Sequence, residues 1–183
     1  MSDTTLAELL ALAWTRIIRG VHDKRSPARH PVLATVSPDG QPEARTVVLR
    51  AADRASATLE VHTDTASPKV AALSKEPRAE LHVWDAGQRL QIRLSARVEI
   101  LTGEDVAERW SRIPDAARRS YGTQPPPGRG IAGPFDYASP GDPGRFAALV
   151  CHVERIDLLL LGNAHQRAEY HATDGWAGRW IAP

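Results

Sequence analysis

The sequence predicts an α+β fold: an antiparallel β-barrel with helices packed outside it. Three observations carry this prediction. Apolar residues recur at every second position in about nine short runs, the period of half-buried strands. Proline, glycine and Asx turn signals join those runs at hairpin length. Helix-period stretches occur only at the start of the chain and in two inserts, so strands do not alternate with helices as a doubly wound parallel sheet requires.

In chain order, Leu6, Leu9, Leu10, Ala13, Ile17, Ile18 and Val21 share one helical face. Thr5 with Glu8 three residues on predicts a capping box, and Gly20 suits the far end. Strands are predicted at Val32–Val36 and Glu43–Arg50, around the turn Ser37-Pro38-Asp39-Gly40, where Pro presets φ and Gly accepts a positive one. Another strand follows at Thr58–His62. Ser67 and Pro68 read as the N-cap and first position of a short helix that Pro77 stops. Ala79–Trp84 and Arg89–Ile100 are strands joined around Gly87. Helical pattern runs from about Glu104 to Tyr121 with a break at Pro114, and Gly122 to Gly144 is irregular, a length usually reserved for function or an interface. Phe146–Arg155, Asp157–Leu161, Gln166–Ala172 and Trp176–Ile181 complete the strands.

No repeat or composition shift divides the 183 residues, so one domain over 1–183 is expected. A net charge of +1 argues against a nucleic-acid coat or an anionic-membrane binder. No apolar run reaches the ~20 residues of a membrane span, and no basic segment precedes an apolar one as in a signal peptide. With one cysteine, Cys151, in an apolar run, no internal disulfide can form. A cytoplasmic protein is expected. The seven histidines show neither an i, i+4 helical pair nor zinc spacing, so no metal site is expected, although His62 and His82 could neighbour each other on strands.

The residues richest in chemistry are Arg45-Thr46-Val47-Val48-Leu49-Arg50, then His62-Thr63, then Ser67-Pro68-Lys69. Two arginines and a lysine converge if the strands pair and the helix follows. Ser67 would bring a hydroxyl and free amides at a helix N-terminus, a ready phosphate site. The alternative is two solvated arginines on an edge strand and an ordinary N-cap.

The order of these segments, continued by Pro77, Trp84 and Arg89-Leu90-Gln91-Ile92-Arg93, resembles the FMN-binding half of the pyridoxamine 5'-phosphate oxidase family. Gly162, His165, Arg167, Trp176 and Trp180-Ile181-Ala182-Pro183 resemble the C-terminal segment of a flavin-binding subgroup related to those oxidases. The resemblance covers roughly residues 14–183. It implies a split-barrel homodimer with FMN at the subunit interface. Arg45, Arg50, Ser67 and Lys69 would hold the phosphate and ribityl chain. Thr46, Val47, Val48 and Leu49 would line the isoalloxazine, with His62 and Thr63 against the ring or the ribityl chain, Gln91 near its pyrimidine edge and Arg167 reaching across from the other subunit. His165 is the candidate for binding substrate or moving a proton.

The sequence also departs from the oxidases. His62 stands where Tyr is usual, and Pro68 where a basic residue is usual. Asn163 replaces the first Arg of an Arg-x-His-x-Arg run, and Leu159 or Leu160 replaces a flavin-contacting Trp. The side chains that grip a substrate phosphate would fall near Arg109, Ile113 and Ala117. The resemblance thus implies an FMN-dependent oxidoreductase with an altered small-molecule substrate. A flavin carrier without turnover, or a barrel holding another cofactor such as haem, is the alternative.

Overall fold

The structure, a computed structural model, describes residues 4–183; residues 1–3 of the span 1–183 lie outside the described residues. It is an antiparallel split barrel of nine strands with helices packed around it. The chain opens with α1 (Leu6–His22), whose N-cap Thr5 and N3 residue Glu8 form the reciprocal capping box. Then come β1 (Val32–Val36), β2 (Pro42–Thr46), β3 (Leu49–Asp53), β4 (Thr58–Asp64), α2 (Pro68–Lys75), β5 (Arg78–Asp85) and β6 (Leu90–Thr102). Two short helices, α3 (Ala107–Ser111) and α4 (Asp115–Arg118), precede β7 (Phe146–Leu160), β8 (Gln166–His171) and β9 (Arg179–Ile181).

The predicted strand Glu43–Arg50 is two strands. The sheet runs β2-β1-β5-β6-β7-β4-β3, so β2 and β3 lie at opposite ends of it although only Val47 and Val48 separate them in sequence. One straight strand cannot serve both ends. The chain turns at Val47, whose N–H donates to the carbonyl of Pro31 at 3.0 Å. The sheet therefore curls until its two ends meet at a corner, with no ladder closing them. The two-valine corner reads as strand in the sequence because β-branched residues favour strands wherever they stand.

Conversely, Phe146–Arg155 and Asp157–Leu161 are one strand. Along one side, β7 pairs with β6 throughout; along the other it pairs first with β4 and then with β8. At the changeover Ser95 faces Arg155 and Ala96 faces Val153, leaving Glu154 as the extra residue of a bulge. The last predicted strand, Trp176–Ile181, shortens to Arg179–Ile181. His62 and His82 are not neighbours, since β6 and β7 stand between their strands.

The barrel interior is filled by inward residues such as Leu33, Leu59, Leu81, Ile92 and Leu158, and α1 closes it with Leu9, Ala13, Trp14 and Ile17. A second apolar cluster lies outside the barrel, where Val106, Tyr121, Phe146 and Ala148 pack with Trp110 and Ile113. This cluster seats the α3–α4 segment against β7, next to the end of β4. That placement brings Tyr121 and the irregular loop after it to the mouth of the site.

Candidate functional site

The phosphate-binding elements predicted from the sequence converge on one cleft of about 330 Å³. Arg45 and Thr46 reach it from the end of β2, Val47 and Val48 from the corner, and Arg50 from β3. His62 and Thr63 come from the end of β4, and Ser67 and Lys69 from the start of α2. Leu49 does not line it: its side chain is in the barrel core. Gln91 and Arg167 do not line it either. Gln91 lies on β6, its side-chain oxygen 3.4 Å from His82 Nε2, and Arg167 is clamped by Asp157 at 2.8 and 3.1 Å. His165 and Arg167 share a separate cleft with Gln166, Trp180 and Ile181.

The polar groups of the first cleft are unevenly committed. Arg45 is engaged within its own sheet, donating to Thr35 Oγ1 at 2.6 Å and to the Glu43 carboxylate at 2.6 Å. Arg50 and Lys69, by contrast, make no ion pair with any carboxylate among the described residues. Lys69 Nζ donates to Thr63 Oγ1 at 3.0 Å, which also lies 3.0 Å from Ser67 Oγ. Burial, then the charge of Arg45, push the Lys69 ammonium below the usual lysine range. Ser67 is the N-cap of α2 by position, yet its hydroxyl makes no capping bond, so no side chain fills the first turn. An ammonium and a guanidinium without carboxylate partners, beside an uncapped helix start, suit an anion with several acceptor oxygens.

The sequence reading missed the other wall. Ser120, Tyr121 and Pro127 line the cleft from the segment after α4. Burial raises the Tyr121 hydroxyl above its usual range, against the hydrogen bond and charge of Arg50. No sequence period marks this segment; only tertiary packing places it. Its anchor is Asp64, 3% exposed as a side chain. That carboxylate accepts from the backbone N–H of Gly122 at 2.7 Å and of Ala66 at 2.8 Å, and from Arg145 at 2.7 Å. Farther along, Gly128 (φ +86°) passes so close to Pro68 that a Cβ would meet its ring at 3.1 Å. The irregular loop is thus laid over the start of α2.

Burial pushes Asp64 up, but the Gly122 and Ala66 amides and Arg145 outweigh it and hold the carboxyl below the usual aspartate range. A depressed folded value stabilises above the unfolded value of ~3.9 and is lost as pH falls through the lower folded one. Protease cleavage within residues 122–144 is therefore expected to be slow at pH 7 and to accelerate below about pH 4. Asp64→Asn should cleave readily at both, since it keeps the shape but loses the charge that Arg145 requires. A variant as resistant as the parent at pH 7 would contradict the anchor.

A cleft at the small end of the usual ligand range of ~300–1,000 Å³, walled by cations and hydroxyls at an uncapped helix start, has the chemistry that suits a phosphorylated ligand. Comparisons with known proteins narrow that class. Residues 11–102 match the family model described as the pyridoxamine 5'-phosphate oxidase FMN-binding domain, and the chain belongs to that family. The curated pyridoxine/pyridoxamine 5'-phosphate oxidase of Thermobifida fusca is 43% identical over 75 residues, 40% of this chain. That stretch spans only 33% of the relative's length.

Among solved structures, a pyridoxamine 5'-phosphate oxidase-related, FMN-binding protein from Nostoc punctiforme superposes with a TM-score of 0.75 at 29% identity, covering 100% of both chains. PhzG from Burkholderia lata, solved with tetrahydrophenazine-1-carboxylic acid, gives a TM-score of 0.67 at 17% identity over 97% of this chain and 90% of its own. A haem-binding protein from Mycobacterium smegmatis gives 0.51 at 15% identity over 91% of this chain and 59% of its own. These last two share the fold alone. No helix among the described residues is long and apolar enough to cross a membrane.

Proposed function

We propose that this chain binds FMN as a homodimer and acts as an oxidoreductase on a small molecule other than pyridoxamine 5'-phosphate. The observation that carries the reading is the pairing of Lys69 and Arg50, free of carboxylate partners, with the uncapped start of α2. A phosphate dianion would satisfy all three at once. The donor set fits the terminal phosphate and ribityl hydroxyls of FMN: Lys69, Arg50, Ser67 and Thr63 for the former, Thr46 and the Val47–Val48 corner beside the latter. FMN, when bound, supplies hydride or electron transfer.

The chain's own residues bind, orient and shield. A cleft of about 330 Å³ has room for the phosphate arm and little more, so the ring would extend past Val47–Val48 towards a second subunit. The cleft of His165, Arg167 and Trp180 lies elsewhere on the same chain, and a two-fold axis would bring the partner's copy of it over the ring. There Arg167, held rigid by the buried Asp157, would present its remaining guanidinium edge. His165 Nδ1 accepts from the Gly162 N–H at 3.3 Å, which leaves Nε2 to hold or move a substrate proton.

Two measurements test the reading. Light scattering should give about twice the 20.0 kDa chain mass, and FMN-loaded protein should bleach under anaerobic NADPH or amine and recover its colour in air. A monomer that keeps FMN contradicts the shared site. A dimer whose flavin no donor reduces would favour a carrier.

A further inference from the structure

The residue that carries the furthest inference is His62, and the inference rests on the reading that this cleft receives the FMN phosphate. His62 lines the cleft at the end of β4, with its ring edge-on to Phe146 at 4.9 Å between centroids. Its Nε2 lies 2.8 Å from Glu60 Oε1, and the other oxygen of Glu60 accepts from Arg109 Nε at 2.9 Å. Arg109 is fixed in turn by donating to the Asp105 carbonyl at 3.0 Å. The result is a chain of three side chains running from α3 to the wall of the cleft. Burial pushes Glu60 up, but His62 and Arg109 outweigh it and keep the carboxyl below the usual glutamate range, so it is ionised at neutral pH.

With Nε2 committed to an ionised carboxylate, the ring's second nitrogen has no hydrogen-bond partner among the described residues. The charged groups around it oppose one another. Glu60 favours an imidazolium, and Asp64 on the same strand is already neutralised by Arg145. Against it stand Arg109 behind Glu60, and Lys69, Arg50 and Arg45 around the cleft; Tyr121 is neutral. A phosphate dianion entering the cleft would neutralise those cations and add its own attraction for a second donor.

We propose that His62 takes up a proton from solvent when a phosphate monoester enters the cleft, and that the ring then donates to the anion while Glu60 holds its other side. His62 is in this account a cofactor-contacting residue, and Glu60 is the positioning residue that makes its charged form accessible. Cofactor affinity is then proton-linked. It falls as pH rises, because binding takes up a proton. One linked proton changes affinity by at most about tenfold per pH unit. The arrangement also selects for ligand charge: riboflavin, which lacks the phosphate, gives the proton nothing to neutralise.

The test is calorimetric titration of FMN into the full-length protein, at pH 7.5, in buffers of differing ionisation enthalpy, with Kd followed from pH 6.5 to 8.5 by flavin fluorescence. The parent should take up a substantial fraction of a proton more than His62→Gln does, and His62→Tyr, which keeps a planar ring, should match His62→Gln. The phosphate's own ionisation is common to all three and cancels in the comparison. Glu60→Gln should reduce the uptake while FMN still binds, an effect that a merely structural role for the pair would not produce. Riboflavin should show no uptake. Equal uptake in parent and both His62 variants, with FMN still bound and still weakened by Lys69→Ala, overturns the role of His62 and leaves the site reading intact. FMN and riboflavin binding alike, or FMN failing to bind, overturns both.

Discussion

Pyridoxamine 5'-phosphate is expected to be oxidised by the FMN-loaded protein with a kcat/KM at least two orders of magnitude below that of an ordinary enzyme, whose value exceeds ~10⁴ per molar per second. A desolvated substrate phosphate needs basic and hydroxyl partners, and without them its burial costs several kcal/mol. The three positions where those partners are expected are not free to supply them. Arg109 is committed to Glu60 and to the Asp105 carbonyl. Ile113 packs into the outer apolar cluster, and Ala117 has neither charge nor hydroxyl. The adjacent Arg118 is also engaged, and its one unpaired nitrogen, Nε, is buried. Its guanidinium lies 5.2 Å from the centre of the Trp110 ring, and its nitrogens donate to Asp115 at 2.9 Å and to the carbonyls of Trp110 and Ser111. Without two or three charge-assisted hydrogen bonds to the substrate phosphate, at ~1.5–3 kcal/mol each, the rate falls by the stated factor. Oxygen- and flavin-dependent formation of pyridoxal phosphate at ordinary efficiency would show that Arg112, Arg119 or another group rebuilds the grip.

The second large effect is expected at the cleft itself. Arg50→Ala and Lys69→Ala should each weaken FMN at least tenfold and together at least a hundredfold, since each removes a charge-assisted hydrogen bond worth over ~1.4 kcal/mol. Arg45→Ala should cost less, because its guanidinium is already shared between Thr35 and Glu43. Lys69→Ala carries a second signature. In the empty protein this ammonium is half-buried without an ion-pair partner, so its removal should leave the melting temperature of the FMN-free form unchanged or raised. A structural lysine would do the reverse. Stoichiometric flavin in the double variant would sink the assignment. High salt should also ease flavin dissociation, as ionic interactions require.

Much of this site is legible in the sequence alone. Ser67-Pro68 announces a helix start because an N-cap and a first-turn proline are local preferences that tertiary structure seldom overrides. Lys69, Thr63 and Arg50 gather there because β4 leads directly into α2 while the β2–β3 corner stands beside it. The rest is illegible for identifiable reasons. The corner at Val47-Val48 is dictated by sheet order, to which a pair of valines gives no clue. The bulge at Glu154 exists because β7 changes partners, again a fact of topology. Tyr121 and Ser120 reach the cleft through Asp64, which bonds to a residue 58 positions away in sequence. His62 is visible as a substitution, but its coupling to Glu60 and Arg109 depends on where α3 packs.

The most direct test of the central claim, that this cleft is built for the phosphate of FMN, is the ratio of FMN to riboflavin affinity measured by fluorescence quenching at low salt and neutral pH. The two ligands share the ring and ribityl chain and differ only in the phosphate. With Lys69, Arg50 and the uncapped α2 start as its partners, FMN should bind at least a hundredfold more tightly, the effect of about two charge-assisted hydrogen bonds. That ratio should collapse towards unity in the Arg50→Ala, Lys69→Ala double variant. Equal affinities for FMN and riboflavin in the parent protein would contradict the account.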